Sequence, residues 1–565
     1  MIGTLLVTLS FILIVTVIVQ AARHPDASPA DRQSTRRIFQ YVLLFGLTMV
    51  TAVGISGLLA RIMQPHALDV AGDAFLARSI AFTVVGIPLL SLVAAWIRHQ
   101  LKNHPREQGS TSWVLYVIAV SLVALIMLTS SASELLQWAF GLTSFKGRFV
   151  ADTLVWSAVW GIHWRLSHRL VNVDRLRGYF LLGAFIGLVG SVVGLSEMLS
   201  GSARFFFHLE QPTLIGEASN AALHGLALFL VGSPIWLWYW LRHGIRTKRD
   251  PAWLTYVLLI GVGGGLAAAL TATSFAFYQV LVWLIGHPGS ANAKEFFDSL
   301  PTALSIALVA GLVWWYHDAL MRVGTVTARG EVERIRDYLL AVIALFSASG
   351  GLVLLVVAGI QTMATGTIVT GGRELNTLIA ALTLLVVGGP TWGWFWSRGQ
   401  RAARQEPAAE YASPTRRIYL YSLLGVASIV ALAALLAGTY FLIDDILGAQ
   451  LGLSTLDRMR FPIAFLVTAG AIASYHWAVW AVQRKQFVNE MHGPKSVLLI
   501  GPDQPAVAAD IAKATKSRVR VWVRTDGVGE WNSTDIISAL ADCETHESVV
   551  VIADPSGPRV IPVRR

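Results

Sequence analysis

Thirteen runs of about eighteen or more predominantly apolar residues follow one another along the chain, at approximately 3–21, 38–60, 77–97, 113–133, 149–168, 178–198, 218–241, 253–284, 300–320, 338–360, 377–397, 417–443 and 461–483. An α-helix rises about 1.5 Å per residue, so roughly 20 such residues cross a hydrocarbon layer about 30 Å thick. Inside that layer the backbone must satisfy its own hydrogen bonds, and for segments of this length only a helix does so. The runs predict about 13 transmembrane helices. Composition supports the reading: only 14% of residues are charged, against the roughly 25% a soluble domain uses to wet its surface. Disordered and disulfide-rich classes are excluded, and the single Cys543 forms neither an internal disulfide nor a Cys-x-x-Cys pair.

The net charge of +10 raises the question of nucleic acid, and the placement of the charges answers it. Of 44 Lys and Arg residues, 27 fall in one alternating set of connections, nine in the other, and eight beyond Lys495. The positive-inside rule makes the rich set cytoplasmic. The basic surplus marks topology, and no nucleic-acid partner is expected. This predicts a bacterial cytoplasmic (inner) membrane protein with its N-terminus outside and its C-terminus in the cytoplasm. Residues 1–36 read as an uncleaved anchor and linker, because Arg23 to Arg37 follow the first run at once and resist translocation. The remaining twelve helices form six hairpins.

These hairpins repeat. Val231 to Arg242 reads VGSPIWLWYWLR and Val387 to Arg398 reads VGGPTWGWFWSR, with a degraded copy at Val85-Gly86-Ile87-Pro88, Trp96 and Arg98. The alternate hairpins carry a late histidine instead: His163, His317 and His476. First helices match as Arg36-Arg37 with Tyr41, Arg175 and Arg177 with Tyr179, Arg334 and Arg336 with Tyr338, and Arg416-Arg417 with Tyr421. The repeating unit is two hairpins, four helices, over 37–170, 175–322 and 334–484. In these motifs the chain resembles a bacterial multi-pass membrane family catalogued as a domain of unknown function, a four-helix unit here in three tandem copies. The resemblance implies architecture and brings no chemistry with it.

Ionisable groups within spans are costly, which makes the three histidines the first candidates for chemistry, as a proton path or as haem ligands. Their nearness to Arg favours a structural role, with the rings reaching the interface. His224 reads as a deeper packing residue. Glu134, Glu197 and the pair Asp444-Asp445 end helices on the outer side, where they line a cation vestibule or lie at the interface. Trp236, Trp238, Trp240 and Arg242, with Trp392, Trp394, Trp396 and Arg398, read as interfacial anchors. Pro88, Pro234 and Pro390 kink their helices, and Gly261 to Gly265 reads as a close packing site. Stretches 135–142, 277–285 and 441–453 read as amphipathic segments on the outer leaflet.

After Gly493-Pro494 the pattern changes to a small soluble α/β domain, 494–565, on the cytoplasmic side. Strands are predicted at 496–500, 519–523 and 549–552, and helices at 505–515 and 534–540, with Asp503 capping the first helix or shaping its turn. The fold class is thus an all-α polytopic membrane protein with a small C-terminal α/β domain. No catalytic triad, metal box or carboxylate dyad appears in the spans, so the reading leans away from an enzyme. The expected partners are the lipid bilayer and a cytoplasmic protein bound by the domain; no cofactor is assigned, with haem or quinone left open. A scaffold or sensor is the preferred function, and a secondary transporter or channel built from parallel repeats is the alternative.

Overall fold

The computed structural model describes residues 29–64, 72–207, 221–246, 249–322, 330–365, 372–489, 494–526, 531–541, 543, 548–554 and 557–563. The anchor expected at 3–21 lies outside the described residues. The chain divides into two compact units, Met1–Trp396 and Ser397–Arg565.

Among the described residues, twelve long helices follow in hairpins. They are α1 Pro29–Met63, α2 Asp73–Asn103, α3 Thr111–Ala139, α4 Gly147–Leu170, α5 Arg177–Phe206 and α6 Ala221–Arg246. The series continues with α7 Pro251–Ile285, α8 Leu300–Arg322, α9 Glu331–Thr365, α10 Gly372–Gln405, α11 Pro414–Leu447 and α12 Arg460–Asn489. Among the described residues, eleven helices are long and apolar enough to cross a membrane. The exception is α4, expected at 149–168. It forms with 24 residues, but Asp152, His163, Arg165 and His168 dilute its apolar character.

Small residues let the hairpins close. In α5, Gly187 meets the backbone of Trp236 and Gly194 that of Phe229, so a side chain at either would collide with α6 itself. Two helices leave α geometry. The end of α6 is π-helical over Leu237–His243, just beyond Pro234, and the start of α7 is π-helical over Tyr256–Gly264. Such wide turns recur at functional sites. The stretches expected as outer-leaflet segments are mostly the last turns of α3, α7 and α11. Helix α7 runs unbroken from Pro251 to Ile285, with no separate interfacial turn.

The C-terminal domain holds strands β1 Ser496–Gly501, β2 Arg518–Val523, β3 Ser548–Asp554 and β4 Gly557–Val563, with helices α13 Pro505–Thr515 and α14 Ser533–Ala541. The sheet order is β2-β1-β3-β4; β1 pairs in parallel with β2 and β3, and β4 is antiparallel to β3. Its core joins Val497 and Leu499 of β1, Val549 and Val551 of β3, Ile511 of α13, and Ile536 and Leu540 of α14. Both helices therefore cover the same face of the sheet.

Candidate functional site

The third helix of each four-helix copy starts the same way. Ser110 accepts the amide of Trp113, Asp250 that of Trp253, and Ser413 that of Arg416. A tyrosine follows one turn later, at Tyr116, Tyr256 and Tyr419. In each copy this tyrosine faces the histidine of the fourth helix, with ring centroids 5.6 Å apart for Tyr116–His163, 6.0 Å for Tyr256–His317 and 5.9 Å for Tyr419–His476. The cap, an aromatic or Arg three residues on, and Tyr three further form a spacing visible in the sequence. The matching of Arg pairs instead selected Tyr421, which is exposed.

All three histidines are buried, so reaching the helix ends is not how they are satisfied. Each Nδ1 lies 2.8 Å from the carbonyl one turn earlier, of Val159, Val313 or Ile472. A carbonyl only accepts, so Nδ1 carries the proton and Nε2 of the neutral ring is an acceptor. In the first copy Tyr116 Oη donates to His163 Nε2 at 3.0 Å. Thr48 spends its own proton on Leu44 O, and its 3.4 Å approach to Tyr116 Oη adds little. With both nitrogens engaged, His163 offers none to a haem iron.

The second copy differs. His317 is pressed against Gly261 in the π-helical turn of α7, where a Cβ would overlap the imidazole. Trp240 packs on His317 and Tyr256, and its Nε1 donates to Tyr316 Oη at 2.9 Å. Two buried polar atoms of this aromatic box, His317 Nε2 and Trp253 Nε1, have no hydrogen-bond partner among the described residues. In the third copy Arg416 stands where the others have Trp, buried beside Glu410 at 3.8 Å and donating to Gln483.

The rings packed on His163 and His317 come from their own copies, as do Tyr419 and Tyr475 on His476. The first two copies instead meet through a seam of aromatics. Trp160 of the first copy donates to Tyr239 Oη of the second at 3.0 Å, Trp164 packs on Tyr179 and Tyr239 with ring centroids 6.0 and 5.5 Å apart, and His168 packs on Phe180 and His243. A similar ion pair secures the Arg-rich ends of both: Arg37–Glu107 at 2.7 Å and Arg177–Asp250 at 3.2 Å.

The DUF5671 domain of unknown function matches residues 37–169, 177–316 and 334–471. The chain belongs to the DUF5671 family. All three tyrosines and His163 fall inside the matched residues, while His317 and His476 lie just past the second and third DUF5671 matches. No curated protein and no solved structure matched the chain.

The other expected residues scatter across the DUF5671 copies. Trp240 and Trp396 are buried, and it is Trp238 and Trp394, two residues earlier, that are 41% and 64% exposed. Residues two apart on a helix face different ways, so the outward and inward rings of each ladder separate. Arg242 covers the outward Trp238 at 4.7 Å, and Arg398 is half-buried. Glu134 and Glu197 are both exposed, on α3 and α5. His224 is exposed in the first turn of α6, because that helix begins at Ala221, and Asp503 does not cap α13. Asp444 and Asp445 are clamped by one guanidinium, Arg458, whose proton the Asp444 hydrogen bond, with the negative charge of Asp445, holds above the ordinary arginine range. Asp152, which no sequence motif marks, accepts from Ser56 and Arg148 beside a cavity of about 70 Å³ lined also by Arg78 and Ser79. Among the described residues no cluster of three His, Cys, Asp or Glu could hold a metal ion.

Proposed function

We propose that this DUF5671 protein is a non-catalytic scaffold or sensor of the bacterial cytoplasmic membrane, whose three four-helix units carry the α/β domain on the cytoplasmic side for a protein partner. The observation that carries the reading is how the histidine of each copy is used. Its Nδ1 is spent on its own helix and the aromatic rings packed on it come from its own copy, which supports a structural use within each copy. The aromatic seam between the first two copies is a packed joint, which suits a rigid body better than a moving gate. The Arg and Lys partition supports the orientation. Reconstitution into liposomes with an entrapped pH dye tests the reading. The expected trace matches protein-free liposomes, and collapse of an imposed proton gradient sinks it. A reporter fused after Arg565 tests orientation, with a cytoplasmic signal expected.

A transport reading draws on one observation, the unpartnered polar atoms around His317 beside two π-helical turns. It requires that His317→Ala change flux in the same liposomes.

A further inference from the structure

Among the described residues, no helix covers one side of the sheet of the C-terminal domain. Three of its four strands run parallel, a pattern that normally has both faces covered, yet α13 and α14 occupy one face only. The register fixes what the other face presents. One row is Leu498, Arg520, Val550 and Ile561; the next is Ile500, Trp522, Ile552 and Arg559; the row at the far end is Ser496, Arg518, Ser548 and Val563. The central strands β1 and β3 thus supply an apolar stripe, and the edge strands β2 and β4 flank it with Arg518, Arg520 and Arg559. All three arginines are exposed, and Trp522 is 62% exposed. These rows contain no carboxylate; only beyond them do Arg524 and Asp554 bring charges of both signs.

We infer that this face lies on the bilayer surface and recognises anionic phospholipid headgroups. The inference rests on the membrane reading of the helices above. Three features select lipid over other occupants. The seven residue steps from Asn489 to Ser496 span at most about 25 Å when fully extended, so the domain stays near the end of α12. An apolar stripe with a Trp and a cationic rim matches the layered chemistry of a headgroup region, where the ring sits at the interface and guanidinium groups meet phosphates. In a two-fold dimer through this face, the same basic edges would oppose one another. With the bare face on lipid, α13 and α14 point away from the membrane, toward the partner of the proposed scaffold.

The full-length protein carrying Trp522→benzoylphenylalanine, in nanodiscs holding one chain, tests this. Nanodiscs of phosphatidylcholine alone are compared with discs in which about a third of the lipid is phosphatidylglycerol, and photo-adducts are identified by mass. The expected adduct is phosphatidylglycerol, with its yield falling about tenfold in Arg518→Glu/Arg520→Glu and in roughly 1 M salt. Adducts to the chain's own helices, or equal lipid yields in both discs, overturn the proposal. So does the absence of a lipid adduct. In liposomes without the one-chain limit, a dominant adduct to a second chain overturns it as well. A proton leak would sink the scaffold reading while leaving the lipid adduct unchanged, so the two failures are told apart.

Discussion

Tyr116 donates its hydroxyl proton to Nε2 of His163 at 3.0 Å, tying the third and fourth helices of the first copy at a buried point. Removing one side of such a pair strands the other. Tyr116→Phe leaves a buried imidazole nitrogen without its donor and is expected to cost about 1–3 kcal/mol. His163→Ala loses packing as well and should cost more. Unfolding in detergent, followed by helical circular dichroism, measures both, and a double-mutant cycle isolates the hydrogen bond. Additive losses would mean the two side chains act separately.

Gly261 and Gly311 make opposite predictions for the same change. A methyl at Gly261 overlaps the His317 ring, whereas Gly311, on the same helix as His317, has open space. Gly261→Ala is expected to destabilise by about 1–3 kcal/mol through overpacking. Gly311→Ala should be neutral or stabilise by up to about 1 kcal/mol, since alanine favours a helix. Similar melting temperatures for the two variants would contradict the close approach of α7 to His317.

The helices were legible because a spanning run must be long and apolar wherever it sits, and even α4, diluted by Asp152 and Arg165, kept the length. Pro505 at the first position of α13 and the alanines behind it gave that helix its observed bounds. Strand β4 leaves a weak sequence signal because Pro558 and Pro562 each remove a ladder donor, which a sheet edge tolerates. The histidines stood out as costly residues in apolar runs, but their tyrosines did not, because pairing across helices leaves no local pattern except the cap spacing. The π-helical turn at Tyr256 reflects how Gly261 seats against another helix, which no single segment encodes. The inward turn of Trp240 has the same tertiary origin.

Asp250 links acid stability to a helix cap. Its carboxylate accepts the Trp253 amide at 2.9 Å, and that bond, then the Arg177 guanidinium, holds its pKa below the ordinary carboxylate value. A carboxylate whose folded pKa is depressed adds stability that is complete above its unfolded pKa, about 3.9, and is lost as pH falls through the folded value. Asp250→Asn keeps a capping oxygen and is expected to stay within about 1 kcal/mol of the parent at pH 7. It should flatten part of the decline below about pH 4. Melting temperature against pH in both proteins checks this; an unchanged acid limb would show that Asp250 contributes nothing to it.

Arg336 joins the second copy to the third with its charge almost fully buried. It lies 3.7 Å from Asp318 of α8 and 3.0 Å from its neighbour Asp337, both also buried. Asp318 has a second partner in Arg322, whose side chain is mostly exposed. Breaking a buried pair from one side leaves an uncompensated charge, so Arg336→Met is expected to cost about 3–5 kcal/mol. Arg322→Ala removes a solvent-screened partner and should cost less than about 1 kcal/mol. Arg336→Lys keeps the charge but loses the planar fork that reaches two carboxylates, so it should fall between them. Adding Asp337→Asn to Arg336→Met takes away one of the stranded charges and should recover part of the loss. Equal unfolding midpoints for Arg336→Met and Arg322→Ala would show that the joint between the copies does not depend on this network.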